Sequence, residues 1–125
     1  MEEQVIQPPI KNCPGIVYFP GRNCVEITGR SIAENPENIF APLNDWITSH
    51  FLNKHSLIVH IKLDYINSGS SKCLFDILKK LTGYHRSGKD VVMKWFFEED
   101  DESMFDLGEH YRDSAGIPLR LEIIK

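Results

Sequence analysis

The stretch that most constrains this chain runs from Leu57 to Lys72. Its first part, Leu57-Ile58-Val59-His60-Ile61-Lys62-Leu63-Asp64-Tyr65-Ile66, reads as a buried strand. A short polar junction follows, Asn67-Ser68-Gly69-Ser70-Ser71-Lys72. Leu74, Ile77, Leu78 and Leu81 then recur at helical spacing and form one apolar stripe. A buried strand feeding an amphipathic helix belongs to an α/β architecture, in which the helix crosses back over a parallel sheet.

The remaining sequence repeats that alternation. Gly15 to Phe19 and Cys24 to Thr28 are apolar or alternating runs on either side of Pro20-Gly21-Arg22-Asn23, a turn signal, so they predict a hairpin. Gly29-Arg30-Ser31 ends it. Asn35-Pro36 is a helix start, and Ile39, Leu43, Trp46, Ile47 and Phe51 follow at helical spacing. Pro42 inside that window predicts an irregular first turn or a later start. Trp46 is expected in the core. Asp90 to Phe97 reads as a strand, with Trp95, Phe96 and Phe97 unable all to face one side. Ser103 is a candidate cap for a short helix carrying Met104, Leu107 and Tyr111, which Gly116 and Pro118 stop. Leu119 to Ile124 reads as a last strand. The predicted order is β-β-α-β-α-β-α-β: one α/β domain over residues 1–125, with an extended lead-in at 1–14 and a mixed, mostly parallel sheet with helices packed on it.

Composition narrows the function. The 125 residues contain 42% hydrophobic side chains, enough for one core, and the net charge of −4 argues against a nucleic-acid partner. No apolar run reaches the about 20 residues that cross a bilayer, and Met1-Glu2-Glu3-Gln4 does not read as a signal peptide. Cys13, Cys24 and Cys73 form no CxxC pair and read as reduced thiols of a cytoplasmic protein. The histidines, His50, His55, His60, His85 and His110, make no zinc pattern, and His60 reads as a packed or edge side chain. There is no GxSxG elbow, and the serine junction has too few glycines for a nucleotide cradle. Glu98 to Glu102 lacks the spacing of a calcium loop and reads as a solvated turn that puts negative charge at a helix start. No catalytic residue, cofactor or metal is expected.

The serine junction admits three readings, one of them a small enzyme that holds a phosphorylated ligand there. Ser70 or Ser71 can cap the helix. Equally, a hydroxyl at the positive end of a helix is a good place to bear a phosphate and thereby switch a surface. Lys72 would neutralise part of that charge. Arg30 reads as a loop charge, a partner contact, or a mate for the acidic run.

Three segments together resemble one family. Gly29 to Pro36 is similar to a GRSxPENP motif, Leu63 to Lys72 to LEYFNTSSSK, and Lys94 to Met104 to VxWYYEEDDEDM. These are motifs of the SiaC-type regulatory phosphoproteins of bacteria, and the resemblance covers about residues 15 to 124. It implies a fold like that of the STAS-type anti-sigma-factor antagonists such as SpoIIAA. It also implies phosphorylation at the threonine of the family's NTSS segment, which here is Ser68, with Ser70 and Ser71 as rivals. Gly69 replaces the next family serine, which predicts a looser loop. Asn67, Gly69, Lys72 and Arg30 are the candidate partner-binding residues around that loop. The partners implied are a dedicated Ser/Thr protein kinase, a PP2C-like phosphatase and a diguanylate cyclase bound in the unphosphorylated state.

Overall fold

The computed structural model describes residues 2–124. Six strands form one sheet in the order of the sequence: β1 (Gln4–Gln7), β2 (Gly15–Phe19), β3 (Cys24–Ser31), β4 (Ser56–Ile66), β5 (Asp90–Glu98) and β6 (Leu119–Ile124). β1, β2 and β3 are antiparallel neighbours, whereas β3 to β6 run parallel. Three helices cross between the parallel strands: α1 (Pro36–Asn53), α2 (Ser68–Arg86) and α3 (Glu102–Ala115). The α/β class, the mixed sheet and the order of the later elements agree with the sequence reading. β1 is an addition: it lies within the lead-in and pairs along the outer edge of the hairpin.

All three crossovers step one strand along in the same direction. Right-handed connections therefore place all three helices on one face of the sheet. Burial follows that rule. Leu57, Val59, Ile61 and Leu63 of β4 and Val91, Met93, Trp95 and Phe97 of β5 join the helical stripes in a single core. The alternate residues, Ile58, His60 and Lys62 with Val92, Lys94 and Phe96, are half-buried on the face that no helix covers. The aromatic triplet divides accordingly: Trp95 and Phe97 enter the core and Phe96 does not. Trp46 is half-buried rather than a core residue. It stacks on His50 at the margin of α1, and Tyr18 packs against it at 4.6 Å.

Several element ends differ from the sequence reading. Pro42 sits inside an otherwise continuous α1, at an exposed position. The cap of α3 is Asp101, whose side chain accepts from the Met104 amide at 3.1 Å, so Ser103 is not the cap. A carboxylate does this better than a hydroxyl because it also meets the positive helix end. The acidic run is thus the turn and first residues of α3. Gly116 closes that helix with φ 65°. Cys13, Cys24 and Cys73 are free thiols.

Candidate functional site

The C-terminal ends of β3, β4 and β5 meet at one edge of the sheet, where open α/β sheets present their sites. Arg30, the serine junction and the acidic turn all lie there. Arg30 pairs with Tyr65 in the sheet register and is exposed. It makes no ion pair with the acidic turn among the described residues.

At the junction the capping residue is Asn67, not a serine. Its side-chain oxygen accepts from the Ser70 amide at 2.9 Å, and its amide nitrogen donates to the Ala33 carbonyl at 3.3 Å. Its backbone N–H donates to the Ser31 carbonyl at 2.9 Å, which ties the start of α2 to the end of β3. Asn is among the best caps, and here it also bridges two connections, which a shorter serine could not reach.

With Asn67 as cap, α2 begins at Ser68, one turn earlier than its apolar stripe suggests. The serines then occupy different faces. Ser70 stands four residues before Leu74 and joins the core stripe; it is 0% exposed and its hydroxyl oxygen has no partner. Ser71 points toward α3. Tyr111 donates its phenol hydrogen to the Ser71 carbonyl at 2.9 Å, so the Ser71 hydroxyl donates to the phenol oxygen in a short contact. Burial pushes the Tyr111 phenol above its usual range, with the Ser71 hydrogen bond acting in the opposite direction. Ser68 is exposed at the first helical position.

Gly69 is in the first helical turn rather than in a loop. It has no positive φ, and an added Cβ would meet only Pro36 Cγ, at 3.5 Å. Lys72 is exposed one turn beyond Ser68. Ser68, Ser71 and Lys72 share a shallow groove of about 390 Å³ with Phe75, Leu107, His110 and Tyr111. Phe75 and Tyr111 stack across it with ring centroids 5.3 Å apart. The sequence reading did not assign those last four residues to the site. The periodicity of α3 placed Leu107 and Tyr111 on one face, but nothing local says that this face meets α2 at Ser71.

The arrangement offers an accessible hydroxyl at a helix N-terminus, a lysine one turn on and an aromatic groove beside them. His110, which lines the same groove, is exposed, and its Nδ1 lies 3.1 Å from the Ser114 hydroxyl. No described helix is long and apolar enough to cross a membrane.

Residues 8–124 match the model of a family described as SiaC family regulatory phosphoprotein. An uncharacterized protein of Pseudomonas aeruginosa strain UCBPP-PA14 is 26% identical over 99 residues, which is 78% of this chain and 79% of that one. Apo-SiaC from Pseudomonas aeruginosa superposes with a TM-score of 0.84 at 24% identity, over 98% of this chain and 99% of its own. A chain from the crystal structure of the diguanylate cyclase SiaD in complex with its activator SiaC, from the same organism, gives 0.85 at 24% identity, over 94% and 97%. At these identities the structures establish a shared fold.

Proposed function

This chain belongs to the SiaC family of regulatory phosphoproteins, and from that premise we propose that it is a non-catalytic partner switch set by phosphorylation of Ser68. One observation supports the reading: of the three junction serines, Ser68 alone is exposed, so its hydroxyl alone is open to a modifying enzyme. Asn67 does the capping, Ser70 is buried, and Ser71 is bonded to Tyr111. The rival reading, in which the serines exist to cap α2, loses its basis once Asn67 holds that role.

Unmodified, Ser68 and the groove along α2 dock a partner, with Asn67, Gly69, Lys72 and Arg30 at the same edge of the sheet. Phosphorylation adds a charge of about −1.5 to −2. The amides of Ser68 and Gly69 have no acceptor within the helix and are aimed at the new group. Lys72 partly neutralises it. The fold is therefore kept while the docking surface gains negative charge. A penalty of about 3 kcal/mol at that surface weakens a complex roughly a hundredfold. The modifying enzymes are a Ser/Thr kinase and a PP2C-like phosphatase, and the reading places the protein in the cytoplasm with the kinase's nucleotide. The partner is a diguanylate cyclase; a relative of the same fold is described as the activator of one.

Peptide mass spectrometry of the protein from its native cells, with and without a PP2C-type phosphatase, tests the site. A phosphate on the Ser68 peptide that the phosphatase removes is expected. Its absence under every growth condition would sink the proposal. Ser68→Asp is expected to bind the cyclase about a hundredfold more weakly than Ser68→Ala, read by titration calorimetry. Equal affinities would exclude the electrostatic mechanism.

A further inference from the structure

The helix-free face of the sheet carries a cluster that the switch does not use. Cys24 opens β3, and Glu26 follows two residues later on the same face. His60 of β4 is the register partner of Glu26. Strand alternation and parallel pairing therefore bring a thiol, a carboxylate and an imidazole to adjacent positions. Their ligand atoms all lie within 4.8 Å of one another. We propose that Cys24, Glu26 and His60 form a zinc site.

Zinc bonds of about 2.0–2.3 Å in tetrahedral geometry place ligand atoms about 3.3–3.8 Å apart. The present spread of up to 4.8 Å exceeds that by about 1 Å, a distance that side-chain rotation can span. His60 Nδ1 is buried, has no hydrogen-bond partner and stands 3.7 Å from Glu26 Oε2. The Cys24 sulfur makes only weak bonds, to the Val25 carbonyl at 3.7 Å and to the His60 backbone. An orphaned imidazole nitrogen and a weakly bonded sulfur beside a carboxylate are what an ion would satisfy. A thiolate, an imidazole and a carboxylate together suit zinc better than calcium or magnesium, which take oxygen ligands. The ligands sit on paired strands, so their positions are fixed by the sheet.

The surroundings define the fourth position. A cleft of about 400 Å³ opens over the cluster, lined by Ile58, Val92, Arg22, Lys94 and Arg120. It leaves room for water or a further ligand, and its basic side chains favour an anionic one. Two cations now share Glu26: Arg22 at 3.5 Å and Lys62 at 3.7 Å. Their side chains are 57% and 37% exposed, so both can release the carboxylate to the ion and remain solvated. On binding, the Cys24 S–H bond breaks, a sulfur–zinc bond forms and the proton passes to water. His60 lies eight residues before Ser68 along the chain, roughly 25 Å away on an extended strand, so the ion would be separate from the phosphorylation site.

The test uses the full chain, stripped of metal and kept reduced with a phosphine. Zinc is titrated against a chromophoric chelator, and cobalt is substituted to read a thiolate-to-metal absorption band. One equivalent of zinc bound at micromolar or tighter Kd is expected. Cys24→Ser and His60→Ala are each expected to weaken it tenfold or more and to abolish or shift the cobalt band, whereas Cys13→Ser/Cys73→Ser leaves both unchanged. Thermal melts of the variants without metal separate lost binding from lost folding; Glu26→Gln serves where either variant melts below the assay temperature. Binding weaker than millimolar would overturn the proposal, as would binding that survives Cys24→Ser and Glu26→Gln or vanishes with Cys13 and Cys73 alone.

Discussion

Gly108 sets the distance between α3 and the sheet. A Cβ there would fall 2.6 Å from Trp95 Cδ1, 2.7 Å from its Nε1 and 2.9 Å from Leu121 Cδ2. Trp95 is 0% exposed, and its indole N–H donates to the Met104 carbonyl at 2.9 Å, so the ring cannot turn away without losing that bond. Gly108→Ala is expected to destabilise the protein by about 1–3 kcal/mol through overpacking. Gly83→Ala in α2 has no atom within 4 Å of its new methyl and should instead stabilise by up to about 1 kcal/mol. Urea unfolding of the pair checks both signs. Tyr111 is the other residue with a readable consequence. Its pKa is raised above 10.0 in the folded state. The folded chain thus holds the phenol proton more tightly than the unfolded one. Stability from this source is complete below about pH 10 and falls as the pH rises through the folded value. Tyr111→Phe is expected to flatten the alkaline limb of a stability–pH curve. Tyr18, raised by the same cause, leaves a residual slope. Neither residue's role was legible in sequence. A glycine among helix formers and a tyrosine on an apolar stripe look ordinary until the facing element is known.

At the scale of elements, α2 shows how a boundary governs the reading of a site. Starting it at its first apolar residue leaves three serines in an undifferentiated loop. Starting it at Ser68 puts Ser70 on the Leu74, Ile77 and Leu81 stripe and Ser71 on the Phe75 side, at the usual three- and four-residue spacing. The information was present in the sequence, because Asn67 is a strong cap, but serines and asparagine compete for that role and local rules do not rank them. Asn67→Ala is expected to cost about 1 kcal/mol, and Asn67→Asp distinctly less because it keeps an acceptor for the Ser70 amide. If Ser70→Ala cost as much as Asn67→Ala in guanidinium unfolding, the cap assignment would be wrong. The strands were the easiest elements to read. β4 and β5 were legible as apolar runs, but which of Trp95, Phe96 and Phe97 enters the core was settled only by the helices that pack on one face. β1 escaped because four residues with one exposed valine give no pattern.

Across the whole molecule, the class and the order of elements were legible because apolar runs of two periods alternate along the chain. The one-sided layering was not, since it depends on the direction in which successive crossovers step. That direction also decides which strand faces are left without helices, and so where Cys24, Glu26 and His60 gather. The strand order has a kinetic corollary. Every strand pairs with the one made just before it, and none is inserted later between two others. The polypeptide can accordingly assemble as it leaves the ribosome, with each strand–helix unit adding to a finished edge and few long loops to close. In such a scheme β6 arrives last, and the groove that flanks Ser68 is completed only when α3 docks. Under the proposed switch, a kinase acting during synthesis would meet Ser68 before the neighbouring groove exists.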